Sequence, residues 1–290
     1  MIERSLRHRL YGTFNMAWAN FDNWMHSPRT VVMLVFVLSE CFILMRGLER
    51  MISLYFEDAE MHLMEMLVYR MAEGCNIAHT SLMLLVTINE LPRCIGFQNY
   101  SMLRSNKGRW LAGQVLYCFM MVSCMILFMT LFMALCAVPI ATPGGGWSDL
   151  ERIEAGVSVW EEAILPAFLI QSFTPIQALL LCMVPLSLFW FTMMLVILLS
   201  GILGSSLIGV LLYAFMLVAH VTFLLDGILW FKFPIAFSTF ASITTGQNGR
   251  ELNALILTFA GYAIVIGALI MIMRWRLYRT DFDFFTQNKY

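Results

Sequence analysis

The stretch NELPRCIGFQNYSMLRSNKGRW, residues Asn89 to Trp110, is a polar and basic segment between two long apolar runs. Pro92 and Gly96 interrupt the helical pattern, because proline lacks a backbone N–H and glycine favours turns. The runs on either side are long enough to cross a lipid bilayer as helices, whereas the polar stretch is not apolar enough to do so. The stretch therefore predicts a water-exposed loop that joins two membrane-spanning helices.

Composition supports the same class of protein. Apolar residues make up 60% of the 290-residue chain and charged residues only 13%, with a mean hydropathy of +0.76. A water-soluble protein of this composition would expose large apolar patches. The net charge of −1 argues against a nucleic-acid binder, which normally carries a strong basic excess. Neither a repeat nor a Pro-, Gly- or Ser-rich linker divides the chain, so residues 1–290 are predicted to form a single transmembrane domain.

At about 20 apolar residues per crossing, the pattern predicts an all-α integral membrane protein with six transmembrane helices. The predicted spans are Thr30 to Leu48, Val68 to Ile88, Trp110 to Pro139, Pro175 to Ser200, Gly204 to Leu225 and Ala254 to Met273. The sequence SGILGSS, Ser200 to Ser206, predicts a tight turn between spans 4 and 5. In this division, residues 30–88 hold spans 1 and 2, 175–225 hold spans 4 and 5, and 140–174 and 226–253 form outer segments.

The distribution of basic residues predicts the orientation, since cytoplasmic loops carry an excess of Lys and Arg. With the N-terminus inside, the inner segments are 1–28, 89–109 and 274–290. Together with Arg29, which directly follows the first segment, they collect most of the chain's basic residues: Arg4, Arg7, Arg9, Arg93, Arg104, Lys107, Arg109, Arg274, Arg276, Arg279 and Lys289. We expect a multi-pass protein of a bacterial plasma membrane with both termini in the cytoplasm.

The first 28 residues predict an interfacial helix. Apolar residues recur every three or four positions from Ile2 to Met25, with polar and basic residues between them. Such a pattern is typical of a helix that lies in the membrane surface with its aromatic side in lipid. An ordinary membrane anchor and a contact with a partner protein are both open as its role.

The sequence lacks several well-known catalytic, metal-binding and nucleotide-binding motifs. It contains no phosphate-binding GxxxxGK[ST] loop, no HExxH, no GxSxG and no paired CxxC. The seven cysteines have no metal-ligand spacing and are expected to be buried thiols. His62 and Glu65 form an HxxE pair, but no third ligand lies near them, so neither a metal site nor a catalytic residue is predicted.

Ionisable residues inside a bilayer usually mark a pathway or an interior contact. Glu40 in span 1, His79 in span 2 and His220 in span 5 are the candidates. Spans 2 and 5 are also the more polar ones, and their polar residues suit a cavity wall and a helix interface equally well. The candidate pathway residues are Asn76, Thr80, Thr87, Tyr213 and His220.

The quoted loop contains apolar residues that alternate with polar and basic ones: Phe97, Tyr100, Met102 and Leu103. This part of the loop is long enough for a helix of two to three turns. Such a helix offers aromatic side chains at the membrane surface. A soluble partner that binds this helix and then changes shape would transmit force directly into spans 2 and 3.

This arrangement resembles the ABC-2 type permease subunit of ATP-binding cassette exporters. The resemblance rests on the N-terminal interfacial helix, six spans with both ends inside, and the basic element YSMLRSNKGRWLAGQVLY leading into span 3. It implies a permease without its own ATPase activity, exporting an amphipathic substrate such as an antimicrobial peptide or a drug. The expected partners are a P-loop ATPase subunit, which would bind ATP and Mg, a second permease in a homo- or heterodimer, and membrane lipid.

The resemblance also assigns roles to segments of the chain. It implies a cytoplasmic coupling helix near residues 98–107, with contacts from Gln98, Tyr100, Leu103, Arg104 and Lys107. It implies that spans 2 and 5 line a cleft between two permeases, and that residues 226–253 form a re-entrant segment at the outer mouth. No cofactor is expected in this chain itself.

The residues also leave two other functional classes open. The first is a membrane-embedded enzyme, such as a protease using His79, His220 and Glu40, although no nucleophile motif accompanies them. The second is an ion-coupled carrier or a non-transporting immunity protein. A carrier would respond to a proton or sodium gradient and need no ATPase.

Overall fold

In a computed structural model, the described residues are 2–55, 61–72, 74–88, 91, 106–148, 172–226 and 251–279. The helices in these ranges are α1 (Ile2–Met25), α2 (Pro28–Tyr55), α3 (Leu63–Ala72), α4 (Gly74–Ile88), α5 (Lys107–Ala137), α6 (Pro175–Ile202), α7 (Ser206–Asp226) and α8 (Glu251–Arg279). No strand occurs in this part of the chain. The prediction of an all-helical protein is confirmed for the described ranges.

Four helical segments are long and apolar enough to cross a membrane: Pro28–Arg50, Lys107–Ala137, Pro175–Ile202 and Phe259–Arg279. They correspond to the predicted spans 1, 3, 4 and 6, and they are compatible with a multi-pass membrane protein. At the predicted spans 2 and 5, the described apolar helices are shorter, His79–Ile88 within α4 and Ser206–Val218 within α7. Those two crossings stay predictions.

The predicted turn between spans 4 and 5 is present at the end of α6. Gly204 has a φ of 101°, a left-handed conformation that glycine adopts without a steric penalty. The N–H of Ser205 donates to the carbonyl of Ser200, and the N–H of Gly204 donates to the carbonyl of Gly201. This pair of hydrogen bonds is the Schellman motif that ends many helices, and α7 begins at once at Ser206.

The beginnings of α5 and α6 also follow local sequence signals. Asn106 precedes α5, and its side-chain oxygen accepts a 3.2 Å hydrogen bond from the N–H of Gly108. Before α6, the N–H of Thr174 donates to Gln177 Oε1 at 3.0 Å, and Pro175 occupies the first helical position. Both arrangements satisfy backbone groups that a helix start would otherwise leave unpaired.

Two sets of contacts define opposite ends of the bundle. At the end that we call the base, a Cβ placed on Gly12 would lie 3.5 Å from Arg109 Cδ, and one on Gly108 would lie 3.4 Å from the Tyr278 hydroxyl oxygen. The base therefore joins α1, the start of α5 and the end of α8.

At the opposite end, the top, the N–H of Thr142 donates to the carbonyl of Met61 at 3.1 Å. Trp147 Nε1 donates to the carbonyl of Phe173 at 2.7 Å. These contacts place the start of α3, the end of α5 and the start of α6 together. It follows that α2, α5 and α7 run from base to top, while α4, α6 and α8 run back.

The core lies between α5 and α6 and the helices around them. On α5, the buried methionines are spaced every four residues, at Met121, Met125, Met129 and Met133. Large apolar side chains are also exposed on the outside, for example Leu127 on α5 and Ile264 and Met271 on α8. An apolar exterior around a packed apolar core is expected where the surrounding solvent is lipid. These four methionines of α5 are part of the packed core.

Candidate functional site

The first feature of the site is a pair of ionisable residues on neighbouring helices. Glu40 Oε1 on α2 lies 3.6 Å from His79 Nδ1 on α4. The Glu40 side chain is 19% exposed and the His79 side chain 56% exposed, so the pair is open on the histidine side. At a rise of about 1.5 Å per residue, Glu40 lies about 18 Å along α2 from Pro28, near the middle of a hydrocarbon core of about 30 Å.

One face of α4 forms a hydrogen-bonded junction of three helices. Trp190 Nε1 on α6 donates to Ser81 Oγ at 2.8 Å, and the hydroxyl of Tyr213 on α7 donates to the carbonyl of Ser81 at 2.8 Å. All three residues are buried. Because a polar group in an apolar interior is costly unless it is hydrogen-bonded, this junction satisfies both aromatic side chains.

The opposite face of α4 is open. His79, Leu82 and Val86 are spaced by three and four residues and are exposed. Residues at that spacing share one face of a helix. The described part of this open face therefore begins with His79, next to Glu40. Two apolar residues, Leu82 and Val86, follow it.

The predicted pathway residues are either buried between helices or have side chains outside the described ones. Thr80 and Thr87 are buried, and Thr87 Oγ1 donates to the carbonyl of Leu84 at 2.8 Å, with the sulfur of Met33 at 3.7 Å. Tyr213 is buried at the Ser81 junction. Asn76 and His220 lie in α4 and α7, and their side chains are outside the described ones. In this conformation, Thr80, Thr87 and Tyr213 serve helix packing, and the pairing of Glu40 with His79 is the contact between predicted site residues.

Of the predicted coupling residues, Lys107 lies at the base, and the other four are outside the described residues. Gln98, Tyr100, Leu103 and Arg104 are outside the described residues. Lys107 is the first residue of α5, which continues without interruption for 31 residues. Around it, the end of α8 presents two arginines next to aromatic rings: Arg279 lies 4.3 Å from the Trp275 ring centroid and Arg274 5.8 Å from the Tyr278 centroid.

The HxxE pair forms a structural junction at the top. Glu65 is fully buried, and its Oε2 accepts a 2.9 Å hydrogen bond from the N–H of His62, at the start of α3. Its Oε1 accepts from the N–H of Ser148. His62 Nδ1 lies 2.7 Å from the carbonyl oxygen of Gly146. The carboxylate thus joins the start of α3 to the segment that follows α5.

Space around this junction is tight at one glycine. A Cβ on Gly144 would lie 2.0 Å from His62 Nε2, so the backbone of residue 144 covers the second ring nitrogen. Within the described ranges, no group of three or more His, Cys, Asp or Glu residues is placed to hold a metal ion. The five cysteines whose side chains are described are free thiols, and three of them are buried.

Comparisons of the chain with protein-family models, with curated proteins and with solved structures gave no match. The assignment of function therefore depends on the residues and their geometry.

Two features of the site escaped the sequence analysis although signals for them exist. The equal depth of Glu40 and His79 is visible in the pattern, because the predicted spans 1 and 2 are antiparallel and each residue lies near the middle of its predicted span. A small polar residue within an apolar span, such as Ser81, often marks a close helix contact. Trp190 as its partner has no local signal, since the two residues are 109 positions apart.

Proposed function

We propose that this chain is the permease subunit of an ATP-binding cassette exporter of the ABC-2 type, which moves an amphipathic substrate using ATP hydrolysed by a separate subunit. The proposal includes six membrane spans, with α3 and α4 together as the second and α7 as the fifth. With 21 residues, α7 is about 31 Å long. That length matches a hydrocarbon core of about 30 Å.

The observation that carries the proposal is the convergence at the base. The Asn89 to Trp110 loop leads into α5. The first turn of α5 lies beside α1 and beside the end of α8, which carries arginines. A soluble partner docked on that loop would contact three helices together. Because α5 is continuous from Lys107 to Ala137, a displacement of its first turn would be transmitted to the top. Basic residues at the base support a cytoplasmic location for this end.

The mechanism is a shift between two arrangements of a pair of permeases. ATP binding to the partner would favour one arrangement, and hydrolysis would restore the other. ATP is bound and hydrolysed in the P-loop subunit. In this chain, the coupling residues Gln98, Tyr100, Leu103, Arg104 and Lys107 receive the movement, and the helices carry it across the membrane.

The test is affinity purification of the tagged full-length chain from its native cell in mild detergent, with mass spectrometry of stoichiometric partners. We expect a P-loop ATPase that is lost when Tyr100→Asp or Arg104→Asp is introduced. Gly145→Asp is the matched control, because Gly145 is exposed at the top and a Cβ placed on it would meet no atom within 4 Å. An intact, abundant chain that retains no ATPase in its wild-type form contradicts the proposal.

A second candidate is an ion-coupled carrier, and the Glu40–His79 pair is the observation that favours it, since such pairs occur on proton pathways. The two candidates differ in energy source. In inside-out vesicles, transport that needs ATP and survives collapse of the proton and sodium gradients supports the exporter. Transport that follows a gradient without ATP supports the carrier.

A further inference from the structure

The carboxylate of Glu40 is unusual in its position. Among the described residues that fall in the six predicted spans, it is the only Asp or Glu. A charge in the hydrocarbon core is costly and is usually retained for a partner or a function. Its neighbour His79 lies at 3.6 Å, which is longer than the usual range of a hydrogen bond. The Glu40 carboxylate is therefore close to His79 without a hydrogen bond between them.

The surroundings of the pair combine a negative charge with an apolar strip. His79 shares the open face of α4 with Leu82 and Val86, and Glu40 lies next to this face on α2. On α2 itself, Ile43 lies one turn from Glu40 and is 65% exposed. Because α2 and α4 are antiparallel, Ile43 lies on the other side of the pair from Leu82 and Val86. An apolar body can contact Leu82 and Val86 while a positive group reaches Glu40.

We propose that Glu40 and His79 form a binding site for an amphipathic organic cation, with the Glu40 carboxylate contacting the cationic centre and the strip of Leu82 and Val86 contacting the apolar body. Charge complementarity selects this occupant over neutral lipid chains, because attraction between charges is strong where water is excluded. Zwitterionic headgroups stay at the membrane surface and do not reach the middle of the bilayer. His79 flanks the carboxylate, with its Nδ1 at 3.6 Å from Glu40 Oε1.

This inference rests on the proposed function in one respect: it makes the site part of the route of the exported substrate. It narrows that substrate from amphipathic molecules in general to those with a positive charge. The exposed face of α4 belongs to a span that, in the proposed pair of permeases, borders the central cleft.

The experiment measures binding of tetraphenylphosphonium to the full chain in lipid nanodiscs, with the size-matched anion tetraphenylborate for comparison. We expect saturable binding of the cation only. Glu40→Gln should weaken that binding about tenfold or more, since it removes the negative charge from an apolar site. Glu40→Asp should retain most of it, and His79→Gln should retain it because the carboxylate that contacts the cation is unchanged.

Glu49→Gln is the control for loss of an acid elsewhere on α2. Glu49 is exposed and pairs with Arg46 at 2.6 Å, away from the site. Equal losses of binding in Glu40→Gln and His79→Gln, or unchanged binding in a folded Glu40→Gln protein, overturn the proposal. Equal binding of cation and anion overturns it as well.

A measurement on the wild-type chain keeps the proposal testable if Glu40→Gln does not fold. Dicyclohexylcarbodiimide modifies carboxyl groups in apolar surroundings, and peptide mass spectrometry locates the product. Tetraphenylphosphonium should protect Glu40 from modification, and tetraphenylborate should not. Absence of protection at saturating cation contradicts the site.

The two proposals fail separately. If no ATPase copurifies but cation binding depends on Glu40, the site stands and the exporter fails. If an ATPase copurifies while Glu40→Gln binds the cation normally, the exporter stands and the site fails.

Discussion

Trp190 on α6 donates its ring N–H to the hydroxyl of Ser81 on α4 at 2.8 Å, and both side chains are fully buried. The carbonyl of the same serine accepts the hydroxyl hydrogen of Tyr213 on α7. One small residue thus joins three helices. The side-chain bond and the backbone bond respond differently to mutation of Ser81, which makes the junction testable.

We expect Ser81→Ala and Trp190→Phe to be coupled in a double-mutant cycle, and Ser81→Ala and Tyr213→Phe to be additive. The alanine removes the oxygen that Trp190 bonds but keeps the carbonyl that Tyr213 bonds. The coupling energy should be about 0.5–1.5 kcal/mol, as for a typical hydrogen bond. Reversible unfolding of the full chain in mixed micelles measures it. Coupling of similar size in both pairs would contradict the assignment.

Gly209→Ala should destabilise the antiparallel pair of α6 and α7. A Cβ at this position would lie 2.8 Å from the Ile197 Cα and 2.8 Å from the Ser200 Cβ, so the helices must separate. Overpacking of this kind costs about 1–3 kcal/mol. The melting temperature in detergent is the readout. Gly267→Ala is the matched control, because a Cβ there meets no atom within 4 Å and should leave the melting temperature unchanged or raise it.

Glu65→Ala should loosen the top of the bundle. The change leaves the part-buried N–H of His62 and the buried N–H of Ser148 without their acceptor, and the loss at Ser148 costs about 1–3 kcal/mol. Amide hydrogen exchange should accelerate at both residues. Glu49→Gln loses only an exposed ion pair with Arg46, worth less than about 1 kcal/mol, and should leave exchange at the top unchanged. Slow exchange at Ser148 in the alanine variant would refute the role of the carboxylate.

Opposite ends of the bundle should face opposite sides of the membrane. Asn106 at the base and Gly145 at the top are both exposed, so a cysteine at either position is accessible to a water-soluble maleimide. In intact cells we expect labelling of Gly145→Cys but not of Asn106→Cys, and labelling of both after permeabilisation. The parent chain, with its native cysteines, gives the background. Labelling of Asn106→Cys in intact cells would reverse the proposed orientation.

The ends of several helices could be predicted closely. The predicted spans Pro175 to Ser200 and Trp110 to Pro139 correspond to α6 and α5 within a few residues. The turn at Ser200 to Ser206 was also predicted, and Gly204 provides its left-handed conformation. These features depend on local chemistry, namely the length of apolar runs, capping side chains and glycine. The coupling residues near Arg104 and the outer segment 226–253 stay predictions, outside the described residues.

The sequence by itself determined that this chain is helical and apolar, with runs long enough to cross a membrane, and where several of its long helices begin and end. Only the tertiary structure decided that Glu40 meets His79, that Ser81 joins Trp190 and Tyr213, and that Glu65 holds Ser148. An apolar run specifies a helix through its own backbone hydrogen bonds. Which face that helix turns towards its neighbours depends on side chains far away in the sequence, because packing between helices is a property of pairs of surfaces and not of one run.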